Sequence, residues 1–245
     1  MSTGWRWIWS ALLASLLSSS ARAGRPLITD DSGVVGAGVL QLETWIYLDS
    51  NYVELPAALA FGPSEWLELS LGGVQGLEFD SQRYAARGPI VQLKALLRAP
   101  DEWPGLALGS GVSTPLGIGH LDPVGWDGYA YAASTLTVLS GLLTCHLNLG
   151  IALIEDEERT HYAWTGGAAV EVSLSATIAA FAELYRGDLY DARGSALTLQ
   201  GGMYWSVSEL VQLDATVGAT IPTDDSGADT VPWLTLGTKI AGEIM

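Results

Sequence analysis

Apolar and polar residues alternate with a period of two along most of the chain, in blocks of about ten residues. In block 39–48 one parity is mostly apolar, with Leu40, Leu42, Thr44 and Ile46, and the other is polar or aromatic, with Gln41, Glu43, Trp45 and Tyr47. This period and length are typical of tilted strands that cross a bilayer. About twelve blocks follow one another, at residues 39–48, 53–62, 65–74, 89–98, 105–114, 128–139, 142–152, 161–173, 176–186, 195–204, 209–219 and 231–241.

The connections between these blocks alternate in length and character. Short turns fall near residues 63–64, 99–104, 140–141, 174–175 and 206, whereas longer polar stretches cover 75–88, 115–127, 155–159, 187–194 and 220–230. Outer-membrane barrels have short periplasmic turns and longer extracellular loops, and a soluble sandwich has no reason to show this asymmetry. The sequence therefore predicts an all-β protein, a transmembrane antiparallel β-barrel of about twelve strands in the outer membrane of a Gram-negative bacterium.

Aromatic residues cluster near the predicted strand ends, where amphipathic rings lie at the two membrane interfaces. The predicted aromatic girdle consists of Tyr47, Trp66, Tyr129, Tyr131, Trp164, Tyr185, Trp205 and Trp233.

The first 23 residues carry the marks of a secretory signal peptide. Arg6 precedes an apolar run from Trp7 to Leu17, and small residues lead to an A-x-A site at Ala21 to Ala23. The apolar run is shorter than the roughly 20 residues that a spanning helix needs. We therefore predict export with a cleaved signal at 1–23 and a barrel at 39–245. Segment 24–38 is too rich in glycine and acid for a spanning strand, so it either folds into the periplasmic mouth as a small plug or lies free as a tether.

Composition excludes several functions. The 245 residues carry 27 acidic and 11 basic side chains, a net charge of −16, and the basic residues are scattered. Nucleic-acid binding needs a clustered basic patch, so it is not expected. A single cysteine excludes an internal disulfide and any multi-cysteine metal site. We predict no metal and no cofactor.

The polar parity predicts the lining of a lumen. Its members are Gln41, Glu43, Glu68, Gln92, Lys94, His146, Asn148, Glu171, Glu183, Gln200, Gln212, Asp214 and Lys239. In a barrel of this size such residues can meet across the interior. They form either a narrow net-acidic passage for neutral or cationic solutes, or a buried ionic plug that only satisfies the interior.

Two further patterns have ordinary explanations. His146 and Asn148 share a strand, with Ser140 or Ser173 as candidate nucleophiles, but their parity points to the lumen and away from lipid. We therefore predict no enzymatic activity. The motif TDDSG at 29–33 recurs at 223–227, and turn chemistry is favoured over a calcium site.

The chain resembles an outer-membrane family named for the meta-pathway of phenol degradation. The resemblance rests on Arg25 to Gly38 with Leu40 to Glu43, and on Phe61 to Leu69, Leu147 to Gly150 and Ala182 to Leu184. It extends along nearly the whole mature length. The resemblance implies a closed twelve-stranded barrel that transports small hydrophobic or aromatic compounds.

Three functions remain open at this point. The first is a channel or transporter for such solutes, whose expected partners are outer-membrane lipid, the barrel-assembly machinery and the solute itself. The second is a sealed structural barrel whose loops 75–88, 115–127 and 220–230 contact surface partners. The third is a soluble, secreted β-sandwich that binds a ligand.

Overall fold

The computed structural model describes residues 26–123, 125–155, 160–187, 197–221 and 230–244. The predicted signal peptide, residues 1–23, lies outside them. The strands are β1 (Val39–Leu48), β2 (Tyr52–Ser64), β3 (Leu67–Glu78), β4 (Tyr84–Arg98), β5 (Gly105–Ser113), β6 (Gly117–Ile118), β7 (Asp127–Val138), β8 (Leu143–Glu155), β9 (Thr160–Ser173), β10 (Ile178–Arg186), β11 (Leu197–Ser206), β12 (Val211–Ile221) and β13 (Val231–Glu243).

Twelve long strands form one closed antiparallel barrel. Each pairs with its neighbours in chain order, and two-residue β6 pairs with the outer end of β4. The barrel closes where β1 pairs with β13, from Val39 opposite Glu243 to Leu48 opposite Leu234. Every predicted block corresponds to one long strand, so the predicted fold is confirmed. Closure satisfies the backbone hydrogen bonds of every strand, as a bilayer requires.

The period of two separates the faces of the wall. Outward side chains are large, apolar and exposed, with Leu149 68% and Val217 62% accessible. Inward positions are small or polar, with Ala133 and Thr216 each 1% accessible. This arrangement places the apolar parity against lipid and the polar parity inside.

The two ends of the barrel differ in their connections. Both termini of the barrel lie at the end with the short turns 65–66, 99–104, 139–142, 174–177 and 207–210, which is the periplasmic end in outer-membrane barrels. At the opposite end, the predicted loop 75–88 is wrong. Strands β3 and β4 continue through Leu77, which pairs with Tyr84, because the outward apolar parity continues there. Only residues 79–83 connect the two strands.

The connection between β5 and β7 is longer and contains β6 and the 3-10 turn Gly119–Leu121. A second 3-10 turn, Leu139–Gly141, lies at the periplasmic end. Within the described ranges, none of the helical turns has the length and hydropathy needed to cross a membrane.

Candidate solute channel

Residues 26–38, here called the N-terminal segment, run along the inner wall of the barrel. Next to β1, the main-chain N–H of Val35 donates to Glu68 on β3 (3.0 Å). Farther along, Ser32 N–H donates to the Thr135 hydroxyl on β7 (2.9 Å), and Ile28 N–H donates to Glu183 on β10 (3.1 Å). The segment therefore contacts successive strands while it rises from the periplasmic rim toward mid-barrel.

Lys94 fixes the acidic part of this segment. Its ammonium group lies 2.7 Å from Asp30 Oδ1 and 3.3 Å from Asp31 Oδ1. Lys94 and Asp31 are buried, and the Asp30 side chain is 14% accessible. Removing charges from water is costly unless they are paired, and here two carboxylates compensate one ammonium group. The Asp30–Asp31 pair and Lys94 thus make up an interior ionic cluster.

Glu183 forms a second anchor. Its carboxylate accepts hydrogen bonds from the main-chain N–H groups of Ile28 and Thr29 and from the Gln200 amide. Glu183 and Gln200 are buried. Hydrogen bonds to a charged acceptor are stronger than neutral ones, so this carboxylate holds the start of the described segment against β10 and β11.

Small wall residues leave room for the segment. A Cβ added to Gly167 would meet Thr29, one added to Gly105 would meet Ser32, and one added to Gly62 would meet the main chain at Gly36. In each case a Cβ on the wall would collide with an atom of the segment as it lies in this structure. The strands therefore carry glycine at the positions where the N-terminal segment lies against them.

A polar network surrounds the middle of the segment. Thr135 links Ser32 to His146, whose Nδ1 lies 3.0 Å from the Thr135 hydroxyl, and His146 Nε2 lies 3.8 Å from Glu171. With its nitrogen turned toward the Asp30 carbonyl, the Asn148 amide donates to that carbonyl (2.7 Å). In the same orientation it accepts from Asp30 N–H (2.6 Å).

A hydrogen-bonded chain connects the segment to the outer half of the barrel. The Tyr131 hydroxyl donates to Asp30 (2.5 Å) and accepts from the Gln92 amide (3.0 Å). The Gln92 carbonyl accepts from Tyr129 (3.0 Å). One strand position nearer the outside, Arg87 pairs with Asp127. Polar groups on β4 and β7 therefore lie at several levels between the outer mouth and the segment, with Ile90 between Arg87 and Gln92.

The thirteen predicted lumen residues are all buried or half-buried. Half-buried are Glu43, Glu68, Glu171 and Gln212; buried are Gln41, Gln92, Lys94, His146, Asn148, Glu183, Gln200, Asp214 and Lys239. They form two groups. The larger group contacts the segment or its network. On the far wall, Lys239 lies between Glu43 and Gln212 in the strand register, and Gln41 donates to Glu43 (2.8 Å).

The predicted aromatic girdle needs correction. Outward and exposed are Trp66, Trp164 and Trp205. Five others share the inward parity: Tyr47, Tyr129, Tyr131, Tyr185 and Trp233. These rings face inward because glycines on adjacent strands leave space for them inside the barrel.

The rings of Tyr131, Tyr129 and Trp233 cover Gly109, Gly111 and Gly218 on adjacent strands, where an added Cβ would collide with them. Tyr47 packs on Trp233 with ring centroids 5.6 Å apart. The face of the wall on which an aromatic residue lies is set by its odd or even position along the strand, and not by its distance from the strand end.

Some interior residues were not predicted. Asp30 and Asp31 were assigned only to a turn, and Gly33 N–H indeed donates to Asp31 Oδ1 in a turn (2.8 Å). The pairing of these acids with Lys94 has no local sequence signal. Arg87 was assigned to a loop because its block was taken to start two residues later. The second TDDSG motif, at 223–227, lies outside the described residues.

The residues considered for catalysis and metal binding have other contacts. The Ser173 hydroxyl donates to the Gly141 carbonyl at a periplasmic turn (3.1 Å), whereas His146 faces the interior beside Thr135. Among the described residues there is no group of three His, Cys, Asp or Glu side chains placed to hold a metal ion.

Comparison with known proteins places this barrel in a family. Residues 11–242 match the family described as uncharacterised conserved protein UCP029691. The chain belongs to this family. No curated protein sequence matches the chain.

Solved structures share the fold. The COG4313 outer membrane channel from Pseudomonas putida F1 is 10% identical with a TM-score of 0.66, over 86% of this chain and 98% of that one. KdgM porin, in complex with disordered oligogalacturonate, is 9% identical with a TM-score of 0.59, over 82% and 98%. NanC porin is 9% identical with a TM-score of 0.57, over 82% and 98%. The family member described here is therefore an outer-membrane β-barrel of the fold that these channels use.

Proposed function

We propose that this barrel is an outer-membrane channel for small solutes, and that the N-terminal segment acts as a plug that narrows its lumen. The observation that carries the proposal is the course of residues 26–38 along the inner wall, with anchors at Lys94 and Glu183. A segment that fills part of the interior limits the width of any passage. The segment is continuous in chain with β1 and is held elsewhere through buried side chains such as Lys94 and Glu183, so it is a part that can move when those anchors are released.

The charge of the interior supports a preference among solutes. The inward positions named here carry nine carboxylates, those of Asp30, Asp31, Glu43, Glu54, Glu68, Asp127, Glu171, Glu183 and Asp214. Among the described residues, the basic side chains on inward positions that face them are Arg87, Lys94 and Lys239. Carboxylate-lined pores favour cations over anions. The passage therefore admits neutral or cationic solutes in preference to anions.

The inward rings support the class of solute that the family resemblance implies. Tyr129, Tyr131, Phe181, Tyr47 and Trp233 all lie on inward positions and are buried or half-buried. Aromatic side chains offer flat apolar contact together with a polar edge. A small aromatic or otherwise hydrophobic compound suits such a lining, and we propose this solute class.

The test is conductance and uptake by the mature chain, residues 24–245, in lipid bilayers and in cells that lack the gene. Glu43→Gln and Glu183→Gln lower the interior charge, so cation preference falls and solute passage changes while the barrel still assembles. Glu102→Gln is the matched control, because Glu102 is exposed on a periplasmic turn. Unchanged passage with both interior carboxylates replaced would overturn their role.

A sealed structural barrel is the second candidate. It is favoured by the burial of Lys94 and Glu183, since anchors of this kind can hold the segment permanently in place. This candidate predicts conductance equal to that of bare lipid for the wild type, together with no uptake defect when the gene is deleted.

A further inference from the structure

The outer mouth of the barrel contains a second inward-folded piece of chain. Residues 114–123, here called the outer strap, continue from β5 along the same edge of β4, and their tip at Gly119 and His120 then turns inward over the mouth. Gly88 N–H donates to the Leu116 carbonyl (3.1 Å), and β6 pairs Ile118 with Ala86. The base of the strap therefore continues the β-ladder of the wall and is fixed by main-chain hydrogen bonds.

The tip of the strap crosses the inner face of β3. Gly119 takes a φ of +70° and packs so closely over Ala85, which is fully buried, that an added Cβ would lie 2.9 Å from the Ala85 Cβ. The next residue, His120, contacts β2. Since β2 and β4 are separated by one strand, the tip spans two strand spacings, roughly 10 Å.

A clasp of three side chains holds this tip. His120 Nε2 lies 2.9 Å from Glu54 Oε1, and the His120 ring stacks on Tyr52 with centroids 4.1 Å apart. The side chains of His120 and Glu54 are only 15% and 20% accessible. Tyr52 and Glu54 share the parity of Ala58 and Ala60, which are buried, so the clasp closes on the inner face of the wall.

The strap covers three of the twelve strands at the mouth. Twelve strands spaced by about 4.8 Å and tilted by about 40° give a barrel roughly 24 Å across between backbones. A tip that reaches roughly 10 Å along this circumference, with side chains turned inward, reduces the opening. The base is fixed by β-pairing, whereas the tip depends on the His120–Glu54–Tyr52 clasp.

We propose that the outer strap is a size filter at the extracellular entrance and that the His120–Glu54–Tyr52 clasp sets its width. This inference rests on the proposed channel function and adds to it a specificity-determining site at the outer mouth. The N-terminal plug acts from the periplasmic side, so the two obstructions are separate and can be released independently.

The first test is polymer exclusion in planar bilayers, with uncharged polyethylene glycols of increasing size added on the extracellular side. His120→Ala and Glu54→Ala each remove one partner of the 2.9 Å contact and release the tip, so larger polymers enter and the size at which exclusion begins rises. Glu54→Asp, with a carboxylate retained on a shorter arm, gives an intermediate size. His161→Ala is the matched control, because His161 is an exposed histidine on the outer part of β9. An exclusion size that is the same in all these proteins overturns the filter.

The second test does not depend on conductance. In a Cys145→Ala background, Leu121→Cys places a thiol on the half-buried side of the strap, and a membrane-impermeant maleimide is added to intact cells. We expect His120→Ala to raise the labelling rate several-fold. Equal rates with and without His120 overturn the clasp. Faster labelling in a barrel that conducts nothing would retain the clasp and reject the proposed channel function instead.

Discussion

Two pieces of chain enter this barrel from opposite ends, and they are held in different ways. The N-terminal segment carries no β-pairing to the wall along most of its length, and its main chain is bound by buried side chains of β3, β7 and β10. The outer strap is paired to β4 through its own backbone and only its tip depends on side chains. Side-chain anchors can be removed singly by mutation, whereas a backbone ladder cannot.

This difference predicts unequal responses to substitution. Removing one buried charge from the N-terminal segment leaves others uncompensated inside the barrel, which is costly. Removing a half-buried partner from the strap's clasp exposes groups that water can solvate, so the barrel loses little stability.

The largest effect is expected for Lys94→Met. Two buried carboxylates, Asp30 and Asp31, lose their shared cation, and breaking such an arrangement costs about 3–5 kcal/mol. We expect the segment to leave the wall, with a several-fold rise in conductance and a lower free energy of unfolding in lipid. The triple variant Asp30→Asn, Asp31→Asn, Lys94→Met removes all three charges, so stability recovers. Equal stability of the single and triple variants would contradict the ionic anchor.

A smaller effect is expected for Glu183→Gln. The two main-chain N–H groups of Ile28 and Thr29 lose a charged acceptor, and hydrogen bonds to charged groups contribute about 1.5–3 kcal/mol. We expect more frequent transitions between conductance levels, recorded from single channels, because the start of the described segment is released while Lys94 still holds its middle. If Glu183→Gln and the exposed control Glu102→Gln give the same single-channel recordings, then Glu183 does not anchor the segment.

The smallest effect is expected for Tyr131→Phe. The change removes the hydroxyl that joins Asp30 to Gln92, and because Asp30 keeps its ion pair with Lys94, the cost lies at the lower end of the same range, about 1.5 kcal/mol. We expect a slight loss of stability, measured by urea unfolding in lipid vesicles, with little change in conductance. Tyr162→Phe is the control, because Tyr162 is 71% accessible. A large conductance change for Tyr131→Phe alone would assign this tyrosine a greater part in holding the segment.

The strands of the wall could be predicted from the sequence because every barrel strand follows the same local pattern. Lipid on one side and a polar interior on the other impose the period of two, so Leu40 and Gln41 already indicate opposite faces. The same rule predicted every long strand. It was less reliable at the outer rim, where residues 75–78 were assigned to a loop and are strand.

Contacts between distant parts of the chain could not be predicted in this way. Asp30 and Lys94 are 64 residues apart, and His120 and Glu54 are 66 apart. No periodicity joins such pairs, since they depend on how the barrel closes. The inward tyrosines show the same limit: Tyr131 sits inside because Gly109, on the neighbouring strand, leaves space for its ring.

The most direct test of the central claim is a disulfide between the N-terminal segment and the wall. A Cβ built on Gly167 would lie 3.3 Å from the Thr29 Cβ, close to the roughly 3.5–4.5 Å of disulfides. Thr29→Cys with Gly167→Cys, in a Cys145→Ala background, is therefore expected to oxidise in the periplasm. Thr29→Cys with Gly242→Cys is the control, because Gly242 has open space around it.

The disulfide is detected by adding a thiol-reactive maleimide after denaturation, once with and once without reductant. If the segment lies along the inner wall, the Gly167 pair resists labelling until it is reduced, whereas the Gly242 pair labels at once. Full labelling of both pairs without reductant would contradict a segment held inside the barrel, and with it the proposed plug.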